Sequence, residues 1–116
     1  MPTHPLPPAR RLRRRGEFQR VFDAGRRAHG RYLTIVFCAR EGTESRLGIV
    51  ASRKLGGAVV RNRAKRLIRE VFRTTDAAVT PGDLVIIPKA AATKVNAPDL
   101  ASDYLSTLRR MGLSKQ

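Results

Sequence analysis

Seven cationic or amide side chains fall within one short stretch: Arg61, Asn62, Arg63, Lys65, Arg66, Arg69 and Arg73. All but Asn62 and Lys65 are arginine, whose planar fork can hold one phosphate through two donors, whereas lysine acts as a point charge. The Asn62 carboxamide both donates and accepts, which suits it to bases, 2′-hydroxyls or phosphate. On a helix with Arg61 set at zero, Lys65 falls at about 40°, Arg69 at about 80°, Asn62 at about 100°, Arg73 at about 120° and Arg66 at about 140°, while Arg63 stands apart at about 200°. Only Glu70, at about 180°, interrupts this cationic face, so the i, i+4 Glu–Lys or Glu–Arg pairing that laces a solvated helix is mostly missing. Arg53 and Lys54 precede the pair Gly56-Gly57 and extend the same surface, and the two glycines let backbone donors near the helix start approach an anion closely. The chemistry these residues offer is the binding of a polyanion.

Hydrolytic chemistry has little to work with. The nine acids are scattered, and the nearest neighbours, Glu41 and Glu44, sit in a stretch that reads as a loop, so no carboxylate pair for a two-metal site is visible. His4 falls among prolines and His29 in a basic connection, which leaves no histidine acid–base pair. The single cysteine, Cys38, excludes an internal disulfide and a paired-cysteine zinc site; it reads as a small core residue in a reducing compartment. No catalytic and no metal-ligating residue is expected on this chain.

The elements that must carry the basic residues can be read from periodicity. Residues 58–74 place Val60, Ala64, Leu67, Ile68, Val71 and Phe72 within an arc of about 140°, which makes one side of the basic helix a core face. Residues 17–24 bring Phe18, Val21 and Phe22 together at i, i+3 and i+4 between Gly16 and Gly25, a short first helix. Residues 32–39 are rich in β-branched and aromatic side chains, and residues 47–53 alternate; with the polar connection 41–45 they predict a hairpin. Pro81-Gly82 turns into residues 83–88, where Leu84-Val85-Ile86-Ile87 has the look of a strand buried on both faces. A last helix begins near Pro98 and ends before Gly112.

The charge is concentrated in two blocks. Of 116 residues, 24 are Lys or Arg and 9 are Asp or Glu, a formal charge of +15. Residues 1–31 hold nine basic and two acidic groups (+7), residues 46–75 nine and one (+8), and the rest of the chain sums to zero. Such self-repulsion favours a polyanionic partner over mere solubility, which needs far less charge. The prolines at positions 2, 5, 7 and 8 argue against a targeting helix, and no apolar core of a secretory signal is present, so residues 1–12 are expected as an extended, poorly ordered basic arm ahead of one domain at 13–116. No apolar run approaches the roughly 20 residues that span a bilayer.

The run 52–73, Ser-Arg-Lys-Leu-Gly-Gly-Ala-Val-Val-Arg-Asn-Arg-Ala-Lys-Arg-Leu-Ile-Arg-Glu-Val-Phe-Arg, resembles the signature segment of the bacterial ribonuclease P protein subunit family. The resemblance extends to Glu17-Phe18 with Val21-Phe22 and to the strand 83–89, covering roughly residues 10–112. It implies an α/β (α+β sandwich) fold of about four mixed strands and three helices with a left-handed βαβ crossover. It also implies a protein that pairs, one copy per RNA, with a catalytic RNA in the bacterial cytoplasm and assists removal of the 5′ leader from precursor tRNA. Catalysis would rest with the RNA and its Mg2+. Arg53, Lys54, Arg61, Asn62, Arg63, Lys65, Arg66, Arg69 and Arg73 would meet the RNA subunit, and Phe18, Phe22 and Tyr32 the single-stranded leader. For Phe18 and Phe22 the other reading is core packing, and for Tyr32 an ordinary strand position. A family tyrosine in the 32–39 strand is replaced here by an aliphatic residue. From other classes, a ribosomal protein or a basic-helix DNA binder would show a similar charged helix, the latter usually with a dimerisation element that is not visible here.

Overall fold

The computed structural model describes residues 6–42 and 44–115. Four strands form one mixed sheet: β1 (Arg26–His29), β2 (Leu33–Cys38), β3 (Arg46–Ile49) and β4 (Asp83–Pro88), in the spatial order β1-β2-β4-β3. Three helices accompany it: α1 (Arg15–Ala24), α2 (Ala58–Thr75) and α3 (Ala97–Arg110). β1–β2 and β2–β4 are antiparallel and β3–β4 parallel, so α2 lies in the crossover that joins two parallel neighbours. The fold is α+β, as the resemblance implies.

The central strand is the one whose sequence is apolar on both faces. Leu84, Val85 and Ile86 are all fully buried, and β4 inserts between β2 and β3, with Val36↔Val85 on one side and Gly48↔Val85 on the other. This overturns the hairpin expected between residues 32–39 and 47–53. A strand of type Arg-Leu-Gly-Ile has less side-chain surface to bury and takes the edge; the second strand ends at Ile49, and Arg53–Leu55 forms a 3-10 turn instead. β1 had no apolar signal at all, since Arg26, Arg27 and His29 are exposed; its pairing with β2 is what makes it a strand.

Alternation along the strands sorts the two faces. Leu33, Ile35, Phe37, Leu47, Leu84 and Ile86 join the larger core with α2 (Ile68, Val71, Phe72) and α3 (Leu100, Tyr104, Leu108). Val36, Cys38 and Val85 face the other way, against Val21 of α1, with Phe18, Phe22 and Ile87 partly buried around them. Cys38 is thus a small core residue. Asn96 caps α3 by accepting the Asp99 N–H at 3.2 Å.

The amino-terminal segment corrects a second expectation. Residues 1–5, with His4, lie outside the described residues, but 6–12 are held in place and not as a loose arm. Leu6 and Leu12 are buried, Pro8–Arg10 forms a 3-10 turn, and Leu12 N–H donates to the Leu47 carbonyl at 2.9 Å beside an Arg11↔Leu47 bridge. The segment therefore lies along the free edge of β3. Arg10 anchors it further, donating to Asp76 at 2.8 Å and to the Ser45 carbonyl at 3.0 Å while lying over the Phe72 ring.

Candidate RNA-binding interface

The packing of α2 decides which of its cations are available. Ala64, Ile68, Val71 and Phe72 turn inward, and Asn62, Arg66, Arg69 and Arg73 remain exposed, with Arg61 and Lys65 half-buried along the border. Arg73 is paired with Glu70 at 2.6 Å. Arg63, the residue the helical angles set apart, turns away from this face and donates to the carbonyls of Thr93 and Val95, both at 3.3 Å. Its guanidinium pins the segment after β4 to the helix and is not brought together with the other arginines.

Elsewhere the acids and arginines meet in a tight group. Asp83, fully buried, accepts two hydrogen bonds from Arg46 (2.9 and 2.8 Å) and one from Arg20 (3.2 Å), with Arg40 at 3.7 Å. Arg46 also reaches Glu17 at 2.8 Å. The backbone N–H groups of Arg14 and Arg13, helped by the Arg46 charge, hold the Glu17 carboxyl below the usual carboxylate range. Through these contacts α1 is bolted to the starts of β3 and β4. By contrast, Arg61, Lys65, Arg66 and Arg69 have no carboxylate partner among the described residues. Arg53 and Lys54 are exposed in the turn before α2, on the same side of the sequence as its unpaired start.

The aromatic residues divide. Phe18 and Phe22 both stand on α1 against the sheet face that carries Val36, Cys38 and Val85. The register continues that face beyond Phe22 through Ile87, Thr34 and His29, and Arg27 lies 5.8 Å from the Phe22 ring centre. Glycine is required at 48, because a Cβ there would fall 2.5 Å from the Phe18 ring; its absence lets the ring lie down on the strand. Tyr32 is not brought to this surface. It packs against the larger core on the α3 side, where Asp103 accepts the N–H groups of Arg31, Tyr32 and Leu33 at 2.7–3.1 Å. Tyr32 stands in the bend just before β2, not in the strand, and the sheet separates its ring from Phe18 and Phe22.

The surface thus carries a basic face on α2 and an aromatic wall on α1 above a half-covered sheet. The family model described as Ribonuclease P matches residues 6–112, nearly the whole chain. The chain belongs to the ribonuclease P protein family. It is 37% identical over 100 residues to the ribonuclease P protein component of an Exiguobacterium species, covering 86% of this chain and 88% of the relative. Among solved structures, the ribonuclease P protein from Thermotoga maritima is 34% identical, with a TM-score of 0.78 over 86% of this chain and 96% of that one. The protein from Staphylococcus aureus is 28% identical, with a TM-score of 0.80 over 90% and 96%.

As a ribonuclease P protein, the chain is set apart from ribosomal and basic-helix DNA-binding proteins. No helix among the described residues is long and apolar enough to cross a membrane. Within the family fold, the sequence reading missed Arg11, which it assigned to a loose arm, and the Asp83 group, whose donors Arg46 and Arg20 lie 37 and 63 residues from Asp83. A conspicuous signal was absent for both: Arg11 is one of several arginines in a row, and Asp83 looks like an ordinary turn residue after Pro81-Gly82.

Proposed function

We propose that this chain is the RNA-binding subunit of a ribonuclease P holoenzyme, an endoribonuclease that removes the 5′ leader of precursor tRNA in the bacterial cytoplasm. In this reading the catalytic RNA performs the hydrolysis, and one copy of the protein supplies position and charge. The observation that carries it is the contrast between the paired arginines of the Asp83 group and the unpaired set Arg61, Lys65, Arg66 and Arg69 on α2. Unpaired guanidinium groups on a rigid helix gain most from RNA phosphates, because no internal ion pair must first be broken. Phe18 and Phe22 would stack on the bases of a single-stranded leader, a contact tolerant of base identity.

Magnesium supplies charge neutralisation and an activated water in such a reaction. The acids of this chain do not make a cage for it: among the described residues no three His, Cys, Asp or Glu side chains come together, and Asp83, Glu17 and Asp76 are engaged by arginines. In this reading Mg2+ is held by the RNA and the substrate. The protein's part is to lower repulsion between phosphates that must approach the same ions.

Binding of the full chain to its cognate ribonuclease P RNA over a salt series tests the assignment of surfaces. Arg66→Ala should weaken binding and make the slope of log K against log salt shallower by about 1. Arg63→Ala should leave that slope unchanged and lower the melting temperature, since its hydrogen bonds are internal. Equal slopes for wild type and Arg66→Ala would remove α2 from the RNA interface.

A further inference from the structure

Where the amino-terminal segment, α1, β3 and α2 meet, the surface closes into a pocket of about 120 Å³. Arg11, Lys65 and Arg69 line it together with Phe18 and Gly48. This is far below the roughly 300 Å³ and more of pockets that enclose whole small molecules, so its natural occupant is a single small group. Three cations converge there and no acid lines the wall. Carboxylates on the neighbouring elements are engaged elsewhere: Glu17 by the Arg13 and Arg14 N–H groups and by Arg46, Asp76 by Arg10, and Glu70 by Arg73. The Nε of Arg11 is closed off from solvent without a hydrogen-bond partner among the described residues. Burial and the neighbouring Arg11 charge hold the Arg69 guanidinium below the ordinary arginine value. Like charges gathered beside an apolar ring and strand repel one another unless an anion is shared between them.

The arrangement is also preorganised. The Arg11↔Leu47 bridge and the Leu12 N–H bond to Leu47 fix the backbone of Arg11, and buried Leu12 holds the next residue down. Lys65 and Arg69 are one turn apart on the same face of α2. Phe18, on the other side, belongs to the aromatic wall of α1. The pocket thus joins the two surfaces assigned to RNA.

We propose that this pocket binds one phosphodiester group, with Arg11 as its recognising residue and Lys65 and Arg69 sharing the charge. The proposal rests on the reading of the chain as an RNA-binding subunit and adds a residue, Arg11, outside the basic helix. The phosphate has two possible sources, the catalytic RNA and the leader strand, which the same experiment separates.

Full-length wild type, Arg11→Gln and Lys65→Gln are compared in binding to the cognate RNA subunit, and the resulting holoenzymes in binding to precursor tRNA with and without a leader. A phosphate of the RNA subunit predicts that Arg11→Gln weakens protein–RNA binding about tenfold, with a salt slope shallower by about 0.7 to 0.9. A leader phosphate predicts a similar loss confined to leader-bearing precursor, and one neutral methylphosphonate linkage in the leader should then erase the difference between wild type and variant. Arg11 makes no side-chain hydrogen bond among the described residues, so its replacement should not lower the melting temperature; should it do so, Lys65→Gln carries the same comparison. Unchanged affinities and slopes in both variants overturn the site while wild type still binds its RNA. Failure of wild type to bind the RNA at all is a different result and overturns the underlying reading.

Discussion

Asp83→Ala is expected to destabilise the folded chain by about 3 kcal/mol, the low end of the range for breaking a buried ion pair. Asp83 has no solvent exposure and accepts from Arg46 and Arg20, with Arg40 close by. Removing the carboxylate leaves the partly buried Arg46 guanidinium with only Glu17 among the described residues, and leaves Arg20 only its bond to the Ala39 carbonyl. The low end applies because Arg20 and Arg40 are partly in water and can be solvated where they stand. For a domain of this size the shift corresponds to a melting temperature lower by roughly 10–15 °C. Urea or thermal unfolding followed by circular dichroism checks it. A change under about 0.5 kcal/mol, the ordinary range for surface substitutions, would mean that the group does not fasten α1 to the sheet.

Phe18→Ala and Phe22→Ala are expected to weaken holoenzyme binding of leader-bearing precursor by about 1–3 kcal/mol each, the contribution of stacking on one base. In dissociation constants that is about 5-fold to 150-fold. Mature tRNA, which lacks the leader, should bind within a factor of about two of wild type. Both rings are also partly buried against Val21, Val36 and Val85, so truncation costs some packing. Phe18→Leu and Phe22→Leu separate the two effects: leucine keeps most of the apolar volume and loses the ring face, so stability should hold while leader affinity falls. Equal losses for both substrates would reduce the rings to core residues. Tyr32→Leu, on the α3 side of the sheet, should leave leader binding unchanged.

Local patterns carried much of the fold. The Leu84-Val85-Ile86-Ile87 run marked a strand buried on both faces, and the apolar arc of α2 contains the buried set Ala64, Ile68, Val71 and Phe72, while Val60 in the same arc stays exposed and Leu67 is only partly buried. What failed was pairing between distant segments. β4 lies more than thirty residues after β3, and nothing local to residues 46–49 announces that it will displace β2 as their neighbour. β1, Arg-Arg-Ala-His, carries only one small apolar residue and gains its strand conformation from pairing with β2. The sites show the same division. Helical angles separated Arg63 from the other arginines before any coordinates, yet its carbonyl partners on Thr93 and Val95 could not be foreseen. Tyr32 stood beside the phenylalanines by resemblance alone, since strand faces could not be assigned in Leu33-Thr34-Ile35-Val36-Phe37, where a shift of one residue exchanges them. Arg11 was hidden among arginines because the two leucines that fix its segment, Leu6 and Leu12, are too few to form a pattern.

In the proposed function, a cationic helix and an aromatic wall make this chain the substrate-positioning partner of a catalytic RNA. Single-turnover leader removal tests this most directly, with the cognate ribonuclease P RNA in excess over substrate but below saturation, near-physiological magnesium and salt, and a precursor tRNA bearing a leader of several nucleotides. Adding the full chain is predicted to raise the rate well above that of the RNA alone, and the gain should shrink as the leader is shortened. A rate unchanged by the protein, or a gain independent of leader length, would contradict the account.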